Sequence, residues 1–511
     1  MKEKFGTTDW KAYIPEPVCE QHTEYNTFYI KAWELAFDHI KSIPGMPQDP
    51  YMDEAFCATQ VWIWDSCFMS LFCKYAPDVF PGVQTFRNFY ETLYGGKHLP
   101  TILPPDNEPD WTGAVPGTPY EIKVHIADNP PLFAWAEYEN ALMTGDTEHI
   151  RELLCEKKYL QKHYAWLEAL KESVTPEAVF IPTYWRSEPC GYHWEGGRSG
   201  MDNTPRGRTG KHAEGERPNN PRMLWLDAIC EQALAAKCIA KLYELIGEGI
   251  ERDAWMEKFE QKKKLVNELY WDKEDAFYYD IDCETHAPIK VKSIASYWTM
   301  TAGIASQKQA EALVAELNNE ETFGGFVPFV SLARNDNDYR PGGQYWRGSV
   351  WLPTAYAALK GLSEYGFYAV AHTTGEKLLS HMYHTYTDFE PHTIWECYNP
   401  EAYKPGTIER VDSEKLVRKD FCGWSALGPI AVYLEYVLGF HTINALERVV
   451  KWEKPTALSG RVGIRNLRFG SVVTDIVAEG NICRVQSNEP YTLEICGKAY
   501  AIGVGETVID L

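Results

Sequence analysis

The sequence has little positive charge, and it lacks the signals of several common protein classes. Its 511 residues include 50 lysines and arginines against 72 aspartates and glutamates, a formal net charge of −22. Because an acidic surface repels a phosphate backbone, no nucleic-acid partner is expected. No apolar run of the roughly 18 residues needed to span a membrane is present, and the first residues form no apolar signal-peptide core. We therefore expect a cytoplasmic protein without a membrane partner, or a periplasmic one if a leader was removed.

The cysteines and glycines lack the spacing of common redox, metal and nucleotide sites. Thirteen cysteines are scattered without a Cys-x-x-Cys pair, which predicts reduced, mostly buried thiols and no zinc site. No P-loop, dinucleotide-binding glycine motif or Gly-x-Ser-x-Gly elbow is found. The acidic segment 106–110 has calcium-ligand chemistry, but a solvated loop is the preferred interpretation. The sequence therefore predicts neither a cofactor nor a metal.

Aromatic residues are abundant instead. Eighteen Trp, 31 Tyr and 21 Phe make up 14% of the chain. Amphipathic Trp and Tyr suit sugars, whose apolar faces stack on rings while their hydroxyls bond to polar partners. A tryptophan-rich helical core would give the same composition. The aromatic content therefore favours carbohydrate binding only modestly.

Helical periodicity and long loops describe most of the chain. Apolar spacing predicts helices at 32–43, 147–171, 223–246, 252–270, 307–317, 351–363, 366–382 and 424–438. Gly247 and Gly249 are suited to end the helix 223–246. Loops longer than usual lie at 94–120, 175–222, 319–350 and 385–420, and long ordered loops are commonly functional. This pattern favours a site built over one end of a helical barrel.

The pattern of apolar and polar residues changes after about residue 443. Short alternating segments separated by turn residues predict a small antiparallel β module of about 60 residues. We therefore divide the chain into a helical catalytic domain at 1–442 and a β-sheet domain at 443–511. The β domain could bind carbohydrate, but packing against the barrel as a lid is the preferred interpretation.

Two turn-forming segments combine glycine, a carboxylate and nearby aromatic residues. Asp202 lies in 199–206, and Glu396 lies in 395–400. Two carboxyl groups that face each other across a sugar can cleave a glycosidic bond, one as acid and the other as base or nucleophile. Other acids close in sequence are competing candidates: Glu188, Glu195, Asp388, Glu390 and Glu401.

Six segments, in order, resemble the motifs of the trehalase-like glycosidases, glycoside hydrolase families 63 and 37. They are WIWDSCF at 62–68, NPPLFAW at 129–135, SGMDNTPR at 199–206, YWRGSVW at 345–351, WECYNPE at 395–401 and FCGWSALGP at 421–429. Together they cover about 370 residues, so the resemblance is specific for fold and general chemistry. Ser349 and Asn129 stand where the family usually has proline and glutamine, which bears on specificity.

The resemblance implies a mainly α protein, an (α/α)6 barrel with the small C-terminal antiparallel β domain, and an inverting mechanism. Asp202 corresponds to the general acid and Glu396 to the general base. The resemblance places the remaining candidate residues around the sugar: Trp62, Trp64, Asp65, Asn129, Arg206, Trp346, Arg347 and Trp351. For several of them a structural role is an equal or close alternative: helix capping for Asp65, clamping a carboxylate or capping the loop for Arg206, an ion pair for Arg347, and packing for the tryptophans.

An inverting pair needs its carboxyl groups about 6.5–9.5 Å apart to admit a water molecule. The acid must keep its proton near neutral pH, so we expect a raised pKa at Asp202 and a hydrogen-bonded, hydrated Glu396. The resulting expectation is an exo-acting α-glycosidase for a small α-glucoside or α-mannoside. The alternatives are a related enzyme of other specificity, such as an α-rhamnosidase, and an inactive sugar-binding protein.

Overall fold

The fold is mainly helical in the computed structural model, which describes residues 4–42, 46–54, 60–93, 121–122, 128–170, 185–207, 220–408 and 414–511. The α-helices are Tyr25–Asp38, Ile63–Cys73, Phe86–Leu93, Phe133–Thr144, Thr147–Arg151, Tyr159–Ala169, Gly196–Ser199, Leu226–Leu245, Gly249–Leu269, Trp298–Thr301, Gln307–Asn318, Leu352–Glu364 and Tyr368–Asp388. Two further segments, Glu152–Lys157 and Gly428–Val437, are π-helical. In this part of the chain no helix combines the length and apolar character that crossing a bilayer requires.

Six inner helical segments form a closed ring. Each contacts the next and the last contacts the first, in the order Ile63–Cys73, Phe133–Thr144, Leu226–Leu245, Trp298–Thr301, Leu352–Glu364 and Gly428–Val437. The helices that alternate with them along the chain lie outside: Tyr25–Asp38, Phe86–Leu93, Tyr159–Ala169, Gly249–Leu269, Gln307–Asn318 and Tyr368–Asp388. This arrangement confirms the expected (α/α)6 barrel.

Burial separates the inner from the outer helices. Every residue of Ile63–Cys73 is buried, whereas Gly249–Leu269 buries only Trp255, Phe259 and Val266. A helix that is surrounded on all sides carries no polar stripe, while an outer helix exposes one face to water. The inner helices therefore form the core of the barrel, and the outer helices cover it.

Several helix predictions are confirmed and some boundaries are corrected. The helix predicted at 223–246 is Leu226–Leu245, and Gly247 follows with a φ of 79°, the left-handed conformation of a helix-ending glycine. The single helix predicted at 147–171 is wrong, because a π-helical segment and Lys158, with a φ of 55°, divide it. The predicted helix at 32–43 is shifted to Tyr25–Asp38.

The C-terminal strands form two sheets. The first has five antiparallel strands in the order Glu16–Cys19, Arg461–Phe469, Val472–Glu479, Ile482–Ser487 and Gly505–Asp510. The second has the order Thr442–Asn444, Val449–Trp452, Tyr491–Ile495 and Lys498–Ile502. Its two central strands pair in parallel, which departs from the predicted antiparallel pairing. Because Glu16–Cys19 joins the first sheet, the β module also draws on the N-terminal end, and the division after residue 442 stays a prediction.

Short strand pairs connect the helices elsewhere. They are Ile40–Lys41 with Tyr51–Met52, Gln60–Val61 with Glu121–Ile122, Arg186–Glu188 with Gly191–His193, Trp271–Asp272 with Phe277–Tyr278, and a three-stranded set of Met223–Leu224, Asp280–Asp282 and Pro288–Ile289. Met223–Leu224 lies directly before the inner helix Leu226–Leu245, and Asp280 of the neighbouring strand accepts a hydrogen bond from the backbone N–H of Leu226 at 2.8 Å.

The β module packs against the end of the barrel at which the inner helices finish. The backbone N–H of Ala445 donates to the Leu142 carbonyl at 2.7 Å, and that of Gly470 donates to the Met143 carbonyl at 2.9 Å. The buried Trp452 ring stacks on Phe440 and donates its indole N–H to the Leu438 carbonyl at 2.7 Å. These contacts support packing rather than sugar binding as the role of the module.

A buried ion-pair network closes the same end of the barrel. The ammonium of Lys74 lies 3.0 Å from carboxylate oxygens of both Glu139 and Glu435, and that of Lys360 lies 2.9 Å from Glu139. Burial alone would raise the pKa of Glu139, but Lys360 and Lys74 lower it to about 2. Because the charges are paired across four inner helices, the network ties these helices together.

Candidate active site

The motif segments meet around the first turns of the inner helices, at the end opposite this network. Asp65 lies in the first turn of Ile63–Cys73, with Trp62 as the preceding capping residue. Trp351 occupies the same capping position before Leu352–Glu364. The segment that carries Trp424 leads into Gly428–Val437. These three motifs are therefore held at the starts of buried helices, which fixes their side chains rigidly.

A glycine brings the Asp202 segment against the first motif. Gly200 has a φ of 80° and ends the short helix Gly196–Ser199. A β-carbon built at Gly200 would lie 3.1 Å from ring atoms of Trp64, so the backbone rests directly on the indole. A side chain there would be both strained and too close. This contact sets Asp202, two residues further on, beside the segment that carries Asp65.

Arg206 anchors the other end of this segment. It is 1% exposed, and its guanidinium donates to both oxygens of Asp227, at 2.6 and 2.9 Å, and to both oxygens of Asp280, at 2.6 and 2.9 Å. The remaining N–H faces the sulfur of Met201 at 3.5 Å. Because the five donors are used within the protein, none is left for a sugar. The predicted substrate contact of Arg206 is therefore corrected to the alternative, a carboxylate clamp.

Asn203 connects the acid segment to the fourth motif. Its Oδ1 accepts from the backbone N–H of Trp346 at 2.8 Å, and its Nδ2 donates to the Gln344 carbonyl at 3.1 Å. Trp346 stacks on Trp351 with ring centroids 4.3 Å apart and an angle of 5° between the planes. Both tryptophans are 1% exposed, so packing accounts for most of their surface. Their contact with a sugar stays a prediction.

Glu396 is held by hydrogen bonds on both carboxylate oxygens. The hydroxyl of Tyr345 donates to Oε1 at 2.9 Å, and the guanidinium of Arg418 donates to the same oxygen at 2.7 Å. The backbone N–H of Arg418 donates to Oε2 at 3.2 Å. The indole of Trp424 donates to the Glu396 carbonyl at 2.7 Å. Glu396 is thus hydrogen-bonded as expected, but its side chain is only 2% exposed rather than well hydrated.

The three acids Asp65, Asp202 and Glu396 share one electrostatic environment. Burial raises the pKa of Asp65 well above its usual value, and the negative charges of Glu396 and Asp202 raise it further, while Arg418 opposes them. The same two acids, after burial, raise the pKa of Tyr345. Asp65 and Tyr345 therefore both interact with the proposed acid and the proposed base. A carboxyl with a raised pKa can hold a proton and donate it in a hydrogen bond.

The backbone beside the base is unusual. Gln344 and Tyr345 are consecutive non-glycine residues with φ values of 39° and 63°. The left-handed region costs about 1–2 kcal/mol for such residues, and strain of this kind is concentrated at functional sites. It directs the Tyr345 hydroxyl toward Glu396 while the Gln344 carbonyl accepts from Asn203.

The competing acids have partners away from this cluster. Glu401 is 40% exposed and pairs with Arg334 and the hydroxyl of Tyr339. The carboxylate of Glu195 accepts from the Gly197 backbone at 2.9 Å and caps a helix. The remaining three are exposed and lie near histidines: Glu188, Asp388 and Glu390. This leaves Asp65, Asp202 and Glu396 as the acids gathered by the motifs.

The other predicted contacts are partly engaged by the protein. The side chain of Asn129 donates to the Arg198 carbonyl at 3.1 Å, and its buried Oδ1 accepts no hydrogen bond within the described residues. Arg347 lies 3.8 Å from Asp338, which fits the ion-pair alternative. The segment 106–110 lies outside the described residues. Where the chain is described, no group of three or more His, Cys, Asp or Glu side chains could hold a metal ion, and the twelve cysteines there are free thiols.

Sequence reasoning did not select four of the residues that build the site. Tyr345 stands in a quoted motif, but no pattern shows that its hydroxyl reaches Glu396. Arg418 lies 22 residues after Glu396 and meets it through an antiparallel bridge between residues 395 and 419. Asp227 and Asp280 are distant in sequence, and only the fold joins them at Arg206. For these four residues the sequence offered one signal: Asp227 is an acid near the start of the predicted helix 223–246.

The barrel, with an acidic cluster at the open end of its inner helices, defines a six-hairpin glycoside hydrolase. Residues 58–407 match the family model described as the mannosylglycerate hydrolase MGH1-like glycoside hydrolase domain. The chain belongs to this family.

Three similar proteins extend the comparison. An uncharacterized protein of Borreliella burgdorferi is 26% identical over 354 residues, 68% of this chain and 66% of its own length. A cytosolic neutral trehalase of Neurospora crassa is 28% identical over 201 residues, 37% of this chain and 26% of its own length. The crystal structure of the GH63 mannosylglycerate hydrolase from Thermus thermophilus in complex with Tris superposes with a TM-score of 0.54 at 19% identity, covering 79% of this chain and 99% of that one. The chain thus spans less than two thirds of the length of each of the two sequence relatives. The similarity to the solved structure shows the fold alone.

Proposed function

We propose that this protein is an exo-acting α-glycosidase that inverts the configuration of the anomeric carbon. The observation that carries the proposal is the convergence of Asp65, Asp202 and Glu396 in one largely buried cluster walled by tryptophans. Paired carboxyl groups in an aromatic pocket suit the protonation and water activation that glycoside hydrolysis requires.

In the proposed mechanism Asp202 is the general acid. Its proton passes to the glycosidic oxygen as the bond from that oxygen to the anomeric carbon breaks. The Asp202 segment is anchored by Gly200 on Trp64 and by the Arg206 clamp, so the carboxyl group is held while the leaving group departs. Rigid positioning of this kind lowers the entropic part of the barrier.

Glu396 is the proposed general base. It takes a proton from a water molecule whose oxygen attacks the anomeric carbon from the face opposite the leaving group. The hydrogen bonds from Tyr345 and Arg418 hold its carboxylate in one orientation. The expected separation from Asp202 is that of an inverting pair, about 6.5–9.5 Å.

Asp65 is the proposed sugar-binding acid. Its raised pKa allows it to keep a proton next to two other acids and to donate a hydrogen bond to a sugar hydroxyl. The Oδ1 of Asn129, buried and unpaired within the described residues, is an acceptor suited to another hydroxyl. Both groups would fix the glycosyl unit relative to the acid and the base.

The proposed substrate is a small α-mannoside or α-glucoside. The family description and the Thermus structure favour a mannoside such as mannosylglycerate, and the trehalase relatives favour a glucoside such as trehalose. A panel of nitrophenyl glycosides that includes α-mannoside, α-glucoside and α-rhamnoside would select the glycosyl group. Proton NMR of the first-formed sugar then distinguishes inversion, which releases the β-anomer from an α-glycoside, from retention.

Two variants test the acid and the base. Asp202→Asn and Glu396→Gln should each lower kcat by about 10²–10⁴-fold, since each removes a proton-transfer group. Glu401→Gln is the matched control, because this nearby acid pairs with Arg334 outside the cluster, and it should keep its activity. Undiminished turnover in either of the first two variants would remove the assignment, and an α-configured first product would exclude inversion.

A further inference from the structure

A second polar pocket, of about 340 Å³, opens at the end of the barrel away from the three acids. The helix Ile63–Cys73 carries Asp65 in its first turn and is followed by Lys74, which lines this pocket. At a rise of 1.5 Å per residue, the nine intervening steps place the two ends roughly 14 Å apart. The pocket is bounded by barrel helices, by His441, which precedes the strand Thr442–Asn444, and by Lys451 of the β module.

The charges around this rear pocket leave two ammonium groups weakly compensated. Lys74 and Lys360 are neutralised by Glu139 and Glu435 in the network described above. Among the described residues Lys241 forms no ion pair, and its ammonium lies 5.1 Å from the centre of the Tyr138 ring.

Lys451 is the second of these ammonium groups. It approaches Glu494 only to 3.8 Å, and its side chain is 45% exposed. The remaining charged residue of the lining, Glu364, is bound by Lys237 at 2.5 Å, and its carboxylate also interacts with Lys241 beyond ion-pair distance. In a chain with a net charge of −22, a pocket with available ammonium groups is a local site for anions.

One buried polar atom of the lining also lacks a partner. Within the described residues Nε2 of His441 has no hydrogen bond, whereas the Ser363 hydroxyl interacts with the hydroxyl of Tyr436. Burial, followed by the charge of Lys360, lowers the pKa of His441 to about 4, so the imidazole is neutral at pH 7. Its Nδ1 already contacts the Thr442 hydroxyl at 2.9 Å. Buried polar atoms without partners are rare in native proteins, and this imidazole belongs to a residue that lines the pocket.

We propose that this rear pocket binds a small polyhydroxylated anion, a sugar phosphate or a sugar acid. The anionic group would lie between Lys241 and Lys451, and a ligand hydroxyl would form a hydrogen bond with Nε2 of His441. The ring of Tyr368, stacked on His441 at 4.7 Å, supplies an apolar wall for the sugar face. The volume is within the range of small-molecule sites. Such a ligand would join the barrel to the β module, because Lys241 belongs to the first and Lys451 to the second.

Calorimetric titration of the full chain tests the proposal with four probes: glucose 6-phosphate, gluconate, inorganic phosphate and uncharged glucose. Glucose 6-phosphate or gluconate should bind with a Kd below about 1 mM and raise the melting temperature, as any ligand of the folded state does. Tighter binding of glucose 6-phosphate assigns a phosphate ligand, and tighter binding of gluconate assigns a carboxylate.

Variants locate the site. The double variant Lys241→Gln, Lys451→Gln should weaken binding by about tenfold or more, because it removes two charge-assisted contacts. Lys264→Gln, on an outer helix with a 73% exposed side chain, is the matched control and should bind as the wild type does. Glucose binding as tight as its phosphate, no binding of either anion, or full binding by a folded double variant would each overturn the proposal. These results are independent of the glycosidase assignment, since the Asp202→Asn protein should bind the anions unchanged.

Discussion

Replacing Arg206 by methionine would remove the cation that holds Asp227 and Asp280 in the barrel wall. The guanidinium makes four hydrogen bonds of 2.6–2.9 Å to the two carboxylates, and all three side chains are 1–2% exposed. Breaking a buried pair by removing one partner costs about 3–5 kcal/mol. With two carboxylates left uncompensated, we expect a loss near the upper end of this range in the free energy of unfolding.

Urea unfolding followed by circular dichroism measures this loss. Because the pair is buried, adding salt should change the difference little. The triple variant Arg206→Met, Asp227→Asn, Asp280→Asn removes the uncompensated charges and should recover more than half of the stability. The three side chains are in contact, so the effects of the single substitutions do not add up. The difference in stability between the single and the triple variant therefore measures the contribution of the uncompensated charges.

Catalysis gives a second measurement for the same variant. Arg206 lies shortly after Asp202 in the same segment, so loss of the anchor should lower kcat more than it raises KM, because the acid is misplaced while sugar contacts remain. An unfolding free energy within about 1 kcal/mol of the wild type would refute the anchoring role. A triple variant less stable than the single one would refute the electrostatic explanation.

Two further predictions concern the neighbouring segments. The pKa of Asp65 is raised in the folded state, so its protonated form is favoured there, and stability falls as pH rises from the unfolded value near 4 through the higher folded value. Asp65→Asn should therefore be more stable than the wild type at pH 7, and this difference in stability should vanish near pH 4. Melting temperatures measured at several pH values test this. Equal melting temperatures of the two proteins at every pH would contradict it. Gly200→Ala should lower the free energy of unfolding by about 1–2 kcal/mol, because position 200 has a φ of 80°, and the added methyl group should displace Trp64. We expect kcat to fall while the circular dichroism spectrum stays that of the folded protein. Wild-type kinetics in this variant would disprove the contact.

Amphipathic helices were predictable because the face that contacts water carries polar residues at helical spacing. The helices Gly249–Leu269, Gln307–Asn318 and Tyr368–Asp388 agree with the predicted segments to within a few residues, apart from the C-terminal extension of the last. The inner helix Ile63–Cys73 was not predicted; all of its residues are buried and it carries no polar stripe, although the equally buried Gly428–Val437 lies within the predicted segment 424–438. The interruption at Lys158 also escaped prediction, since its φ of 55° is not marked by a glycine.

Motif order identified the segments of the site better than the role of each side chain. Asp65, Asp202 and Glu396 were selected from their motifs, and their electrostatic coupling is consistent with a common pocket. Arg206 was assigned to the substrate from the same motif, although its guanidinium is fully used by Asp227 and Asp280. A motif indicates which residue type stands at a position, but it does not show whether that residue contacts a ligand or another part of the protein.

The sequence alone indicated several of the helices and the β module, because periodicity and turn residues act over a few neighbouring positions, and the motif resemblance implied the barrel. The tertiary structure decided which charges meet. Tyr345 and Arg418 reach Glu396 from positions 51 and 22 residues away, and four lysines from the barrel and the β module line the rear pocket. Such contacts depend on distances between distant segments, which are set only when the ring of inner helices closes.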